Sequence, residues 1–202
     1  MGITIHYNGK TNRETAYEVI SFAKQFAEAL KWEYGDVNRD GYVCNYIIVY
    51  NNVEHVFRQF MPLEMIPVDD KKFLERFRCN PSTLFGIYIN PPMNTESVEI
   101  MFYEDDNKYV INHFCKTQIF NEDEMSNAIA HIVIISLLMT IKYTWIPDME
   151  IVDEGEFYPY NLNKDKLHGG FNYKTLLDNN GYLMDIINKI VDVLTKNKDK
   201  KR

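Results

Sequence analysis

The sequence is poor in the groups that announce a chemistry. It holds three cysteines in 202 residues, Cys44, Cys79 and Cys115, with no CxxC and no Cys/His pair at ligand spacing. A zinc centre needs several such ligands close together, so no zinc site is expected. The odd, scattered thiols point to a reducing compartment, and we expect a cytoplasmic protein. GxSxG, P-loop, GxGxxG and HExxH strings are all missing. The usual signatures of hydrolases with a nucleophile elbow, of P-loop enzymes, of dinucleotide binders and of zinc proteases are therefore absent, and no cofactor is expected.

Positive charge is scarce as well. Lys and Arg number 22 against 29 Asp and Glu, giving a net charge of −7. The tail Lys196–Arg202 alone carries +4, which leaves −11 on the rest. An acidic body disfavours broad contact with phosphates, so no nucleic-acid partner is expected. The basic tail reads as a frayed helix end whose cations complement the helix dipole. The longest apolar run, Ala128–Ile141, spans 14 residues and is broken by His131, Ser136 and Thr140. A membrane-crossing helix needs about 20. No basic-then-apolar leader opens the chain, so neither a membrane nor a secretory signal is expected.

What is present is core-forming. Apolar residues make up 46% and aromatics 14%, which excludes a disordered chain. The length suits a single domain, 1–202, that needs no disulfide to fold. Ile3–Tyr7 alternates as a strand. Thr11–Glu14 fits a capping box with Thr11 as N-cap, and Ala16, Val19, Ile20, Ala23, Phe26, Ala27 and Leu30 recur at helical spacing behind it, with Gly35 ending the helix. Further strands are expected near 42–50, 84–89, 98–103 and 109–115, the last two as a hairpin. Residues 53–83 are ambiguous, with a possible strand at Val53–Phe60 and a short helix around Asp70–Arg78. Met149–Val152 is a possible short strand. Helices near 14–33, 123–143 and 183–196 complete the expectation: an α+β fold, a mostly antiparallel five-stranded sheet with three main helices covering one face. The helix at 123–143 is apolar nearly all round and should be the central, buried one.

Two polar patterns suggest chemistry. Asp36, Asn38, Asp40 and Gly41 match positions 1, 3, 5 and 6 of a calcium loop, but position 12 is Ile47 where a bidentate carboxylate belongs. Asp36, Asn38 and Asp40 are weak metal candidates, and the plainer reading is a polar helix-to-strand turn. The second pattern gathers Lys116 at a strand end, His131 inside the apolar helix, and five acids from Asp148 to Glu156. Asn112, Phe114, Lys116 and Gln118 share one strand face, with Tyr109, Ile111, His113 and Cys115 on the other. A cleft in which Lys116 binds an anion, His131 transfers a proton and Asp153 or Glu154 orients it would be a small hydrolase-like site. The plainer reading makes His131 a satisfied core histidine and Lys116 half of an ion pair.

Ile3-Thr4-Ile5-His6-Tyr7, Lys116-Thr117-Gln118 and Val152-Asp153-Glu154-Gly155 occur in an order that resembles an uncharacterised family of small microbial proteins. No activity is known for that family, so the resemblance implies none. It groups His6 and Gln118, as ligand-binding candidates, with Lys116, His131, Asp153 and Glu154. With no complete catalytic motif, the leading expectation is a non-catalytic binding or interaction protein. Its partner would be an unknown protein or small molecule, and the oligomeric state is open.

Overall fold

The structure is a computed structural model and describes residues 2–50, 53–66, 71–92, 95–118 and 124–155. The helix expected at 183–196 and the basic tail fall outside them. So does the capping pattern before residue 124.

Seven strands form one antiparallel sheet in the order β3-β2-β4-β5-β6-β1-β7. They are β1 (Gly2–Thr11), β2 (Glu33–Tyr50), β3 (Val53–Pro62), β4 (Asn80–Asn90), β5 (Val98–Asp105), β6 (Lys108–Gln118) and β7 (Glu150–Asp153). The helices are α1 (Arg13–Leu30), the six-residue α2 (Lys71–Arg76) and α3 (Glu124–Thr144). The expectation of five strands beneath three covering helices is therefore overturned. Among the described residues, α1 and α3 supply the helical side of the main core. The third described helix, α2, is short and stands apart from that core.

The extra strands have clear causes. β3 pairs with β2 over its whole length, from Gly41↔Pro62 to Tyr50↔Val53. β7 pairs with β1 through Ile5↔Asp153 and three neighbouring positions. β2 begins at Glu33, not near 42, because β4 supplies ladder partners from Glu33↔Asn90 to Val43↔Asn80. That ladder overrides the turn preference of Asp36–Gly41. Gly35 and Gly41 serve packing here, since a Cβ at either would run into the Tyr88 ring or the Phe60 ring.

The end signals of α1 also move. Asn12, not Thr11, is the N-cap, and its Oδ1 accepts the Thr15 amide at 2.8 Å. The helix stops at Leu30, before Gly35. Lys31 takes a left-handed conformation (φ 58°), and the Lys31 and Trp32 amides reach back to the Glu28 and Ala27 carbonyls.

The main core joins Val19, Phe22 and Phe26 of α1 and Ile134, Leu137 and Ile141 of α3 to Ile5, Ile87, Ile100 and Ile111 of the sheet. Each such side chain, fully buried, contributes about 1.5–3 kcal/mol. The burial of α3 follows from its all-round apolar sequence. On the opposite face Val43, Tyr103 and Val110 form a second, small core with Phe60 and Leu84. The sheet curls there, and β3 reaches the β5–β6 turn. Arg58 of β3 pairs with the buried Asp105 carboxylate and, at 2.7 Å, with Asp106. That turn carries positive φ at Asp106 and Asn107, as a tight two-residue hairpin turn requires.

Cys44 and Cys79 are disulfide-bonded. The bond ties β2 to the residue before β4 and corrects the reading of three reduced thiols. Only Cys115 is free, and it is buried.

Candidate functional site

The sheet divides the polar residues singled out above. Strand alternation places Ile111, Cys115 and Thr117 of β6 on the helix side, buried, and Asn112, Phe114 and Lys116 on the other side, exposed. In β1 and β7, Ile5 and Asp153 face the helices, and His6 and Val152 face away. His131, from α3, therefore meets Asp153 and not Lys116.

On the helix side, the Thr117 hydroxyl lies 2.7 Å from His131 Nδ1. His131 Nε2 lies 3.1 Å from Asp153 Oδ1, at ion-pair distance but off the line of a good hydrogen bond. The Gly155 amide donates to the same Oδ1 at 2.8 Å. A Cβ on Gly155 would stand 3.2 Å from Nε2, so a hydrogen at this position leaves the imidazole its room. Hydroxyl, imidazole and carboxylate in series can activate a nucleophile, provided a substrate reaches the hydroxyl. Thr117 is 0% exposed, and so are the side chains of His131 and Asp153. What the arrangement does in the described fold is fasten α3, β6 and β7 together.

On the other side, His6 Nε2 stands 3.9 Å from Glu154 Oε1. The Thr4 amide donates to Glu154 Oε2 at 3.1 Å, and hydrogen bonding from the Thr4 side chain first, then from this amide, holds the exposed Glu154 carboxyl below its ordinary range. Lys116 is exposed beside them and contributes a small field at Glu154. Of Gln118 only the backbone is described, as the last residue of β6. The sequence candidates thus form two groups, His131 with Asp153 inside and His6 with Glu154 and Lys116 outside.

Asp36, Asn38 and Asp40 lie along β2, not in a loop. Asp36 pairs with Lys24, and Asp40 accepts the Thr83 hydroxyl at 2.9 Å. Among the described residues no cluster of three or more His, Cys, Asp or Glu could hold a metal ion.

A third polar group lies where the sheet is split. The β5–β6 ladder runs only from Asp105↔Lys108 to Tyr103↔Val110, and the strands meet again where the Glu96 amide bonds the Lys116 carbonyl. Between these points six residues, 97–102, face five, 111–115. Such an extra residue opens a ladder as a bulge does. Tyr7 fills the opening: its hydroxyl donates to the Glu99 carbonyl at 2.9 Å and accepts the Glu99 amide at 3.1 Å. Burial raises the Tyr7 phenol well above its ordinary range. His113 Nδ1 lies 2.9 Å from Glu99 Oε2, and that bond lowers the Glu99 carboxyl. Cys115 donates to the Glu96 carbonyl at 3.3 Å, and burial, then Glu96 and Glu99, pushes its thiol up to about 12. A thiol so protonated is not a nucleophile.

A further opening among the described residues lies elsewhere. An open trough of about 1040 Å³ lies between α1 and the far half of the sheet. Tyr17 from α1, Phe85 from β4 and Tyr109 from β6 form an aromatic wall. Tyr17 and Phe85 stack with centroids 5.1 Å apart, and Phe85 meets Tyr109 edge-on at 5.6 Å. The Arg13 guanidinium sits 5.8 Å over the Tyr17 ring. Lys24, Asp36 and Asn38 line the same trough. Asp36 and Asn38 come from the calcium-like pattern and Arg13 from the capping pattern, and neither pattern points to a trough; Tyr17, Lys24, Phe85 and Tyr109 belong to no motif. The whole set comes from four elements, and only the fold brings it together.

No family model, curated protein or solved structure matches this chain.

Proposed function

We propose that this is a non-catalytic binding protein and that the trough holds its ligand. The observation that carries the reading is the trough itself, whose volume is just above the range of small-molecule sites, about 300–1,000 Å³, and so leaves room for such a ligand. Its chemistry also favours binding. Among the described residues that line it there is no histidine or cysteine, so the commonest general base and the strongest nucleophile are lacking. The hydrolase-like alternative, which needs Lys116 and His131 at one pocket wall, draws no support from side chains on opposite faces of the sheet.

No described helix is long and apolar enough to cross a membrane. The cytoplasmic placement expected from the cysteines loses its main support to the Cys44–Cys79 bond, since such bonds persist in oxidising compartments.

The test is a ligand screen by amide chemical shift. Ligands should move the resonances of Arg13, Lys24, Asn38, Phe85 and Tyr109. Shifts centred on His6, Phe114 and Lys116, or a turnover lost in a folded His131→Gln protein, would contradict the proposal.

A further inference from the structure

We infer that the trough selects a flat aromatic ring bearing a single negative charge, the chemistry of an aryl carboxylate. This rests on the trough being the binding site, and it adds the class of ligand.

The ring requirement comes from the wall. Tyr17 is 50% exposed although it meets Phe85 and has the Arg13 guanidinium 5.8 Å over its ring, so about half of the residue remains open to a guest. A large aromatic surface left in water beside two more rings favours a stacked, planar guest.

The charge requirement comes from Arg13. The other cations of the trough already have carboxylates: Lys24 has Asp36, and Arg58 has Asp105 and Asp106. Arg13 forms no ion pair with any described carboxylate and rests on an aromatic ring. The Tyr17 side chain is the main hydrogen-bonding neighbour of Arg13; Glu104 is near enough to be felt by Arg13 but accepts the Tyr109 hydroxyl at 3.2 Å, which leaves the guanidinium without a carboxylate. A guanidinium fork matches a carboxylate through two parallel hydrogen bonds. Arg13 is the first residue of α1 and Tyr17 is one turn on, so ring and cation stand on one helix face at a fixed spacing.

The limit to one charge comes from the surroundings. Asp36, Glu104, Asp105 and Asp106 all line the trough, and the whole chain carries −7. A polyphosphate would satisfy Arg13 and be repelled by its neighbours.

The experiment titrates the full chain with naphthalene-2-carboxylate, its methyl ester, 2-naphthylmethylammonium and ATP, followed by amide chemical shifts and calorimetry. The acid should bind at the trough with the ester and the ammonium at least about ten-fold weaker, the size of one charge-assisted contact, and ATP should not bind there. Arg13→Gln should remove the preference for the acid over the ester. Tyr17→Ala should weaken acid and ester alike. Both positions are exposed, and thermal unfolding verifies that each variant is folded. Equal binding of acid and ester, an undiminished preference in Arg13→Gln, or tighter binding of ATP at the trough would overturn the ligand class and leave the trough as a site. If none of the four compounds shifts the trough resonances, this inference fails. If a broad screen also leaves them unmoved, the proposed function fails with it.

Discussion

The sealed Thr117–His131–Asp153 cluster and the open trough make opposite uses of polar side chains. In the cluster hydroxyl, imidazole and carboxylate face one another within 2.7–3.1 Å and away from water. In the trough Arg13 and the Tyr17 face are spent on little else. A conspicuous residue, such as a lone histidine in an apolar helix, marks where the fold must satisfy a buried polar group. An unremarkable arginine and tyrosine, one turn apart on a helix, mark where the fold leaves something over.

That contrast can be broken in order of expected effect. The largest loss belongs to the cluster. His131→Leu or Asp153→Leu alone strands its partner and should cost about 3–5 kcal/mol, whereas the double variant should cost clearly less than the two added together. Denaturant unfolding of the four proteins measures it, and simple additivity would deny the pair. Next is the disulfide. Cys44 and Cys79 are 35 residues apart, and opening that loop by reduction should cost about 2–4 kcal/mol in the same assay. An unchanged midpoint would remove the bond from the account.

The third test uses pH. Cys115 ionises at about 12 in the fold, against 9.0 when unperturbed. A raised folded value means that the unfolded chain gives up its proton first. Stability is therefore full below pH 9 and falls as pH rises towards 12, and Cys115→Ala should flatten that slope. At the acid end Glu99 works the other way: its lowered carboxyl loses its contribution as pH falls through the folded value. The smallest effect is expected in the trough. Arg13→Gln and Tyr17→Ala should change stability by no more than about 0.5 kcal/mol, as surface positions do.

Part of this was legible before any coordinates. The alternation Ile111, His113, Cys115 against Asn112, Phe114, Lys116 predicts the two faces of β6. The apolar sequence of α3 predicts its burial. Together they imply that α3 covers the Ile111–Cys115 face, and so that His131 and Lys116 are separated. A cleft that joins the two is at odds with that consequence. Thr117 was missed because a single hydroxyl between Lys116 and Gln118 carries no pattern. The first half of β2 is hidden in the sequence because Asp36–Gly41 has turn-forming residues, and its strand state depends on β4, more than forty positions on. The Cys44–Cys79 pair depends equally on the curl that brings β2 to the end of α2. Arg13, Tyr17, Phe85 and Tyr109 could not be joined from sequence, since their meeting is a product of sheet order.

The most direct measurement sets the two regions against each other in one assay. The affinity for naphthalene-2-carboxylate would be compared in Arg13→Gln and in the double variant His131→Leu/Asp153→Leu, each verified as folded. The account predicts a loss of about ten-fold in the first and none in the second. Undiminished affinity in Arg13→Gln, with a loss in the double variant, would place the binding chemistry in the buried cluster and contradict it.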